Sequence, residues 1–162
     1  MSQSEFSTPI NQRYFEDYIE GMVFEYGPLG VSEAEIIDFA KRFDPQEMHT
    51  DPDAAEAGPF KGLIASGWQT IGLLMRLFVD NFLSSVASLA SPGVDEVRWL
   101  KPVRPGDKLR LRVSILETRR SRSKPDRGIV ISLLEGINQN GEVVVRARPM
   151  NLLALRNPDT PM

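Results

Sequence analysis

The stretch Ser66-Gly67-Trp68-Gln69-Thr70-Ile71-Gly72-Leu73-Leu74-Met75-Arg76-Leu77-Phe78-Val79-Asp80-Asn81-Phe82-Leu83 decides the architecture. Its polar positions, Gln69, Arg76 and Asp80, fall on one narrow stripe, and nearly everything else is apolar. That pattern predicts a helix buried on most sides. Beyond it the chain changes character. Val94 to Leu100, Asp107 to Thr118, Gly128 to Asn138 and Glu142 to Leu155 all read as strands. In the second of these Lys108, Arg110, Arg112 and Ser114 alternate with Leu109, Leu111, Val113 and Ile115, one face wet and the other packed. Arg104-Pro105-Gly106-Asp107 is a turn leading into that strand, and Asn140-Gly141 reads as a type I′ hairpin turn. A long apolar helix followed by strands enough to cover it predicts an α+β fold, an antiparallel sheet wrapped around a central helix. Such a sheet leaves an edge open, and pairing edges across a two-fold axis predicts a homodimer or a higher homo-oligomer.

Upstream, Gly21 to Tyr26 reads as a first strand closed by Gly27-Pro28. Ser32 and Glu35 form a capping box for a helix whose apolar face is Ile36, Phe39, Ala40 and Phe43. Pro45 disfavours helical backbone at Asp44, so that helix ends there. His49 follows on the loop behind it, and Asp51-Pro52 opens a short helical turn with Asp51 as its N-cap. The domain boundaries expected are residues 1–20 as an N-terminal arm, 21–156 as a single domain and 157–162 as a tail.

His49 is the single histidine of 162 residues, and there is no cysteine. Thiol nucleophiles, disulfides and cysteine-bound zinc are thereby excluded, and a histidine-rich metal site is disfavoured. Histidine exchanges a proton readily near neutrality. With Asp44 five residues earlier in Phe43-Asp44-Pro45-Gln46-Glu47-Met48-His49-Thr50-Asp51-Pro52, it forms an acid–base couple. Net charge is −3, with residues 1–60 at −10 and residues 61–162 at +7. The basic half could draw an anionic ligand, or the halves could neutralise each other. The run Arg119 to Arg127 reads as a solvated hairpin tip that the phosphates of such an anionic ligand could also use. No nucleic-acid motif accompanies the bases. No apolar stretch suits a membrane span and no leader precedes the domain, so a cytoplasmic protein is expected.

Three segments carry a resemblance: Phe43 to Pro52, Gly62-Leu63-Ile64-Ala65-Ser66-Gly67-Trp68, and Lys101-Pro102-Val103-Arg104-Pro105-Gly106-Asp107. Together they resemble the signatures of MaoC-type acyl dehydratases, the hot-dog-fold (R)-specific enoyl-CoA hydratases, from about Tyr14 to Arg156. The resemblance implies reversible hydration of a trans-2-enoyl thioester, with acyl-CoA as substrate and no metal or other cofactor. It implies that Asp44 and His49 grip the water, Asp44 accepting its proton and His49 returning one at the α-carbon. Gly67 matches the oxyanion donor at a helix start, with Ser66 and Gln46 near the substrate. Phe43, Gln46 and Glu47 replace the family's Gly, Asn and Pro, and Ser66 stands where histidine is common. Ser66 otherwise reads as the cap of the long helix, and Trp68 and Met75 as core. A hot-dog thioesterase or a non-catalytic acyl-thioester-binding subunit are the alternatives.

Overall fold

The computed structural model describes residues 3–159; the outermost parts of the expected arm and tail, residues 1–2 and 160–162, lie outside them. Five strands, β1 (Val23–Gly30), β2 (Ser88–Trp99), β3 (Lys108–Arg120), β4 (Arg127–Ile137) and β5 (Val143–Ala154), form one antiparallel sheet in the order β1-β3-β4-β5-β2. Against one face of it lies the helix α4 (Gly67–Asn81). Three shorter helices, α1 (Glu33–Phe43), α2 (Glu47–Thr50) and α3 (Pro52–Ala57), connect β1 to α4. This is the hot-dog arrangement. The core is where α4 meets the sheet: Leu74, Leu77 and Phe78 pack on Leu109, Leu111, Val113 and Val130. Gly136 belongs to that contact, since a Cβ there would come within 2.8 Å of Val145 and 3.1 Å of Leu74.

The capping box at Ser32 and Glu35, the end of α1 at Asp44, and Asp51 as N-cap of α3 form as expected. The first strand does not stop at Gly27-Pro28. It continues to Gly30 through a bulge between Tyr26 and Leu29, where one extra residue is absorbed against β3. Gly27 permits this: its φ is +105° and a Cβ would sit 3.0 Å from the Leu109 carbonyl oxygen. The β4–β5 turn is not type I′, because only Gly141, not Asn140, has positive φ. Instead Gly141 N–H donates to the Asn138 carbonyl, and the Asn138 side chain accepts from the backbone of Asn140 and Glu142. That is a longer loop with glycine in the left-handed position. Arg104–Asp107 turns as expected, with Gly106 at φ +87°.

Residues 3–20 of the expected arm pack against the domain. Two 3-10 turns (Ile10–Gln12 and Phe15–Asp17) bring Arg13 beneath the end of α4. There its buried guanidinium donates to the carbonyls of Asn81 and Phe82, both at 2.9 Å, and to that of Thr8. A cation at a helix C-terminus meets the carbonyls that have no intrahelical partner. Phe6 stacks on Phe24 at 4.3 Å, closing the same end of the core.

Two apolar expectations need correcting. Phe43 is exposed, so α1 buries Ile36 and Ala40 but not its last turn. Trp68 is 63% exposed, and Met75 and Val79 are open as well. Among the described residues none covers the outer face of α4 at Met75 and Val79. β2 is likewise exposed along almost its whole length.

Candidate active site

Asp44 ends α1 as its C-cap, and Pro45 turns the chain directly into α2. That short helix carries His49, which the sequence places on a loop; its backbone N–H reaches back to the Gln46 carbonyl at 2.9 Å. The consequence is proximity: His49 Nε2 lies 3.4 Å from Asp44 Oδ2. The imidazole is nearly fully buried and the carboxylate mostly so, with side-chain exposures of 7% and 20%.

The other ring nitrogen fixes the tautomer. His49 Nδ1 is 2.7 Å from the Ile64 carbonyl oxygen, which can only accept, so Nδ1 carries a proton. In the neutral ring Nε2 then presents a lone pair toward Asp44. The Ile64 backbone is held in turn, its N–H donating to the Met48 carbonyl. The segment Leu63 to Ser66 that supplies this contact is buried throughout.

Asp44 is braced on both oxygens. Gln46 Nε2 donates to Oδ1 and Ser66 Oγ donates to Oδ2, each at 2.7 Å. Gln46 and then Ser66, favouring the charged form, hold the carboxyl below its ordinary value against the opposing effect of partial burial. Asp44 is thus ionised throughout the neutral range.

Ser66 occupies the N-cap position of α4, yet its side chain makes no cap bond. It is fully buried and its hydroxyl is committed to Asp44. The expectation that it caps the helix is thereby overturned: tertiary proximity to a carboxylate outcompetes the local backbone N–H groups. Among the described residues, no protein acceptor is paired with the backbone N–H groups of Gly67, Trp68 or Gln69. They form the positive end of α4.

These groups border a cavity of about 450 Å³. Asp44, His49 and Gly67 line it, together with a mainly apolar wall that includes Met48, Phe60, Trp68, Trp99 and Val103. Ser66 and Gln46 meet the cavity only through Asp44. Trp68, expected in the core, stands instead at the wall, edge-on to Trp99 with ring centres 5.3 Å apart. Neither Trp99 nor the Ile64 carbonyl is singled out by local pattern. The one signal for Trp99 is its place near the end of the strand expected over Val94 to Leu100, just before Lys101-Pro102. Phe43 and Glu47 point to solvent and leave the Asp44–His49 pair untouched.

The basic tip at residues 121–126 joins the far ends of β3 and β4. The cavity lies at the other end of the sheet, near the start of β5, where Leu100 and Lys101 bond to the Val144 carbonyl. Within one chain the tip and the pair are therefore separated by the length of the strands. Part of the charge asymmetry is spent inside the fold, where Arg112 meets Glu25 at 3.2 Å and Arg156 meets Asp17. No described helix is long and apolar enough to cross a membrane.

Comparison with known proteins gives a consistent answer. A family model described as "MaoC like domain" matches residues 18–132. YdeM of Bacillus subtilis, an uncharacterised protein, is 34% identical over 141 residues, covering 87% of this chain and 98% of YdeM. The 3-hydroxyacyl-thioester dehydratase Z of Mycobacterium tuberculosis is 38% identical over 74 residues, 45% of this chain and 49% of that protein, so the match spans about half its length. The crystal structure of a MaoC-like dehydratase from Rhodospirillum rubrum superposes with a TM-score of 0.82 at 37% identity, covering 93% of this chain and 99% of that one. With the fold, the helix exit at Asp44 and the buried helix start at Gly67 all in place, the chain belongs to the MaoC-like dehydratase/hydratase family of hot-dog proteins.

Proposed function

We propose that this protein adds water reversibly across the double bond of a trans-2-enoyl thioester, an enoyl-CoA, to give the 3-hydroxyacyl thioester. The observation that carries this reading is Asp44 Oδ2 facing His49 Nε2 at 3.4 Å, the latter a lone-pair acceptor when the ring is neutral. With the ring neutral, the two acceptors call for a donor that reaches both. A water within about 2.8 Å of both completes the triangle and gives one hydrogen to each.

In the hydration direction the water oxygen bonds to the β-carbon and its proton passes to Asp44. The electron pair of the double bond moves to the α-carbon and thioester oxygen. The free N–H groups at the start of α4, Gly67 foremost, stabilise the negative charge there. The proton moves from the Asp44 carboxyl to the adjacent Nε2, and His49 delivers it to the α-carbon. Both side chains end as they began. Asp44 and His49 are the catalytic residues in this reading, Ser66 and Gln46 hold the carboxylate, and no metal or cofactor enters. The reaction named for the mycobacterial relative is of this type. A thioesterase would need its activated water aimed at the carbonyl carbon that the helix start would hold.

The test is the loss of enoyl absorbance from crotonyl-CoA and longer trans-2-enoyl-CoAs. Activity abolished by Asp44→Asn and by His49→Ala is expected. No turnover of any enoyl-CoA, or turnover that survives both variants, overturns the reading; release of free thiol instead identifies a thioesterase.

We assign the uncovered faces to a second copy of the chain. β2 is an exposed edge with unpaired backbone groups, and Met75 and Val79 leave the outer side of α4 apolar. Two identical edges paired antiparallel across a two-fold axis cover both features at once. Light scattering should return twice the chain mass, and Val79→Glu should halve it; a wild-type mass of one chain refutes the dimer.

A further inference from the structure

Gly67 is glycine because Trp99 occupies the place of its side chain. A Cβ built there would lie 2.3 Å from Trp99 Nε1, 2.4 Å from Cε2 and 2.8 Å from Cδ1. The indole thus turns its five-membered ring, Nε1 included, to the place of the Gly67 side chain. Trp99 reaches this spot from the last residue of β2, and Trp68 packs edge-on against the same ring. Both residues line the cavity that holds Asp44 and His49.

Indole Nε1–H only donates. Among the described residues no acceptor is paired with it, and the backbone N–H of Gly67 beside it is also without a protein acceptor. Two unspent donors of different origin, one main-chain and one side-chain, thus stand together on one wall of the cavity.

We infer that Trp99 Nε1–H is a second hydrogen-bond donor to the thioester oxygen, acting with the Gly67 N–H on the charge that develops there. This inference rests on the enoyl thioester reading above and adds a side chain to it. A donor of this kind acts most strongly on the charged transition state, so its removal lowers kcat more than it raises KM. It also places the thioester carbonyl against Gly67, with the β-carbon reaching toward the Asp44–His49 pair.

Trp99→Phe keeps an aromatic ring and deletes the N–H. With crotonyl-CoA, kcat should fall roughly 10- to 100-fold while KM changes less than about threefold. An unchanged kcat, or a loss confined to KM, overturns the inference and leaves Trp99 as an apolar wall. A second measurement needs no turnover. The chain has two tryptophans, hence two indole N–H resonances, and Trp99→Phe identifies one of them. In the wild-type protein, saturation with the unreactive butyryl-CoA should move the Trp99 resonance downfield, whereas coenzyme A alone should not. No shift, or an equal shift with coenzyme A alone, overturns the inference. If wild type hydrates no enoyl-CoA, the hydratase reading fails, and the indole resonance still decides whether Trp99 meets a thioester.

Discussion

Gly67→Ala in combination with Trp99→Ala measures whether the indole is what keeps position 67 bare. A methyl group at Gly67 meets three ring atoms at 2.3–2.8 Å, where ordinary van der Waals contact begins near 3.4 Å. The ring must therefore retreat by about 1 Å or the start of α4 must yield. Overpacking of this kind costs about 1–3 kcal/mol. Trp99 is 45% exposed and can give way toward solvent, so the lower end applies and a net loss of about 1 kcal/mol is expected in the wild-type background. With the indole gone the sign reverses. Gly67 lies in helical backbone without positive φ, and alanine there gains about 0.5 kcal/mol through the unfolded state. Urea unfolding of the four proteins should then give a coupling of about 1.5 kcal/mol. Equal destabilisation in both backgrounds would show that the methyl clashes with something else, and a neutral Gly67→Ala in the wild-type background would refute the packing altogether.

Gln46→Ala removes the largest influence holding the Asp44 carboxyl low, so its titration should move to higher pH. A carboxylate depressed in the fold contributes stability that is complete above its unfolded value and lost as pH falls through its folded value; carboxyl-carbon NMR should find the wild-type midpoint below 3.8 and the variant above the wild type. A midpoint that stays put or drops contradicts the role of Gln46. Phe78→Ala empties a site with no solvent exposure under α4 and should cost about 3–5 kcal/mol in chemical denaturation. Arg13→Ala takes the guanidinium from the carbonyls of Asn81 and Phe82 at the end of α4, the latter keeping the Tyr18 hydroxyl as donor, and should cost about 1–3 kcal/mol, whereas a freely moving N-terminal segment would lose nothing.

What the chain discloses before folding is what local rules govern. The capping box at Ser32, the proline that stops α1 at Asp44, and the strict alternation from Lys108 to Ile115 all act within a few residues, and all form. The Asp44–His49 pair was legible for the same reason: five residues and one proline suffice to bring them together. The misreadings share a different cause. Periodicity shows that one side of a helix is apolar but not which molecule covers it, so Trp68 and Met75 read as core while this chain leaves them open. Likewise Asn140-Gly141 suggests a two-residue turn, but the Asn138 side chain bonds to the loop backbone and lengthens it.

The parts of the site that no local rule reveals are the ones that orient it. The Ile64 carbonyl sets the histidine tautomer from 15 positions away, and Ser66 braces the carboxylate from 22. Both belong to the buried segment leading into α4, and this couples the two halves of the proposed chemistry. Because the Ser66 hydroxyl is spent on Asp44, it cannot satisfy the first N–H groups of its own helix. The side chain that fixes the base thus leaves the helix start free to meet an oxyanion. In the proposed reaction the β-carbon beside Asp44 and the thioester oxygen beside Gly67 would be held in register by Ser66 and Gly67, which are consecutive. An error in the placement of one is carried directly to the other, which is the geometric reason for burying that segment so completely.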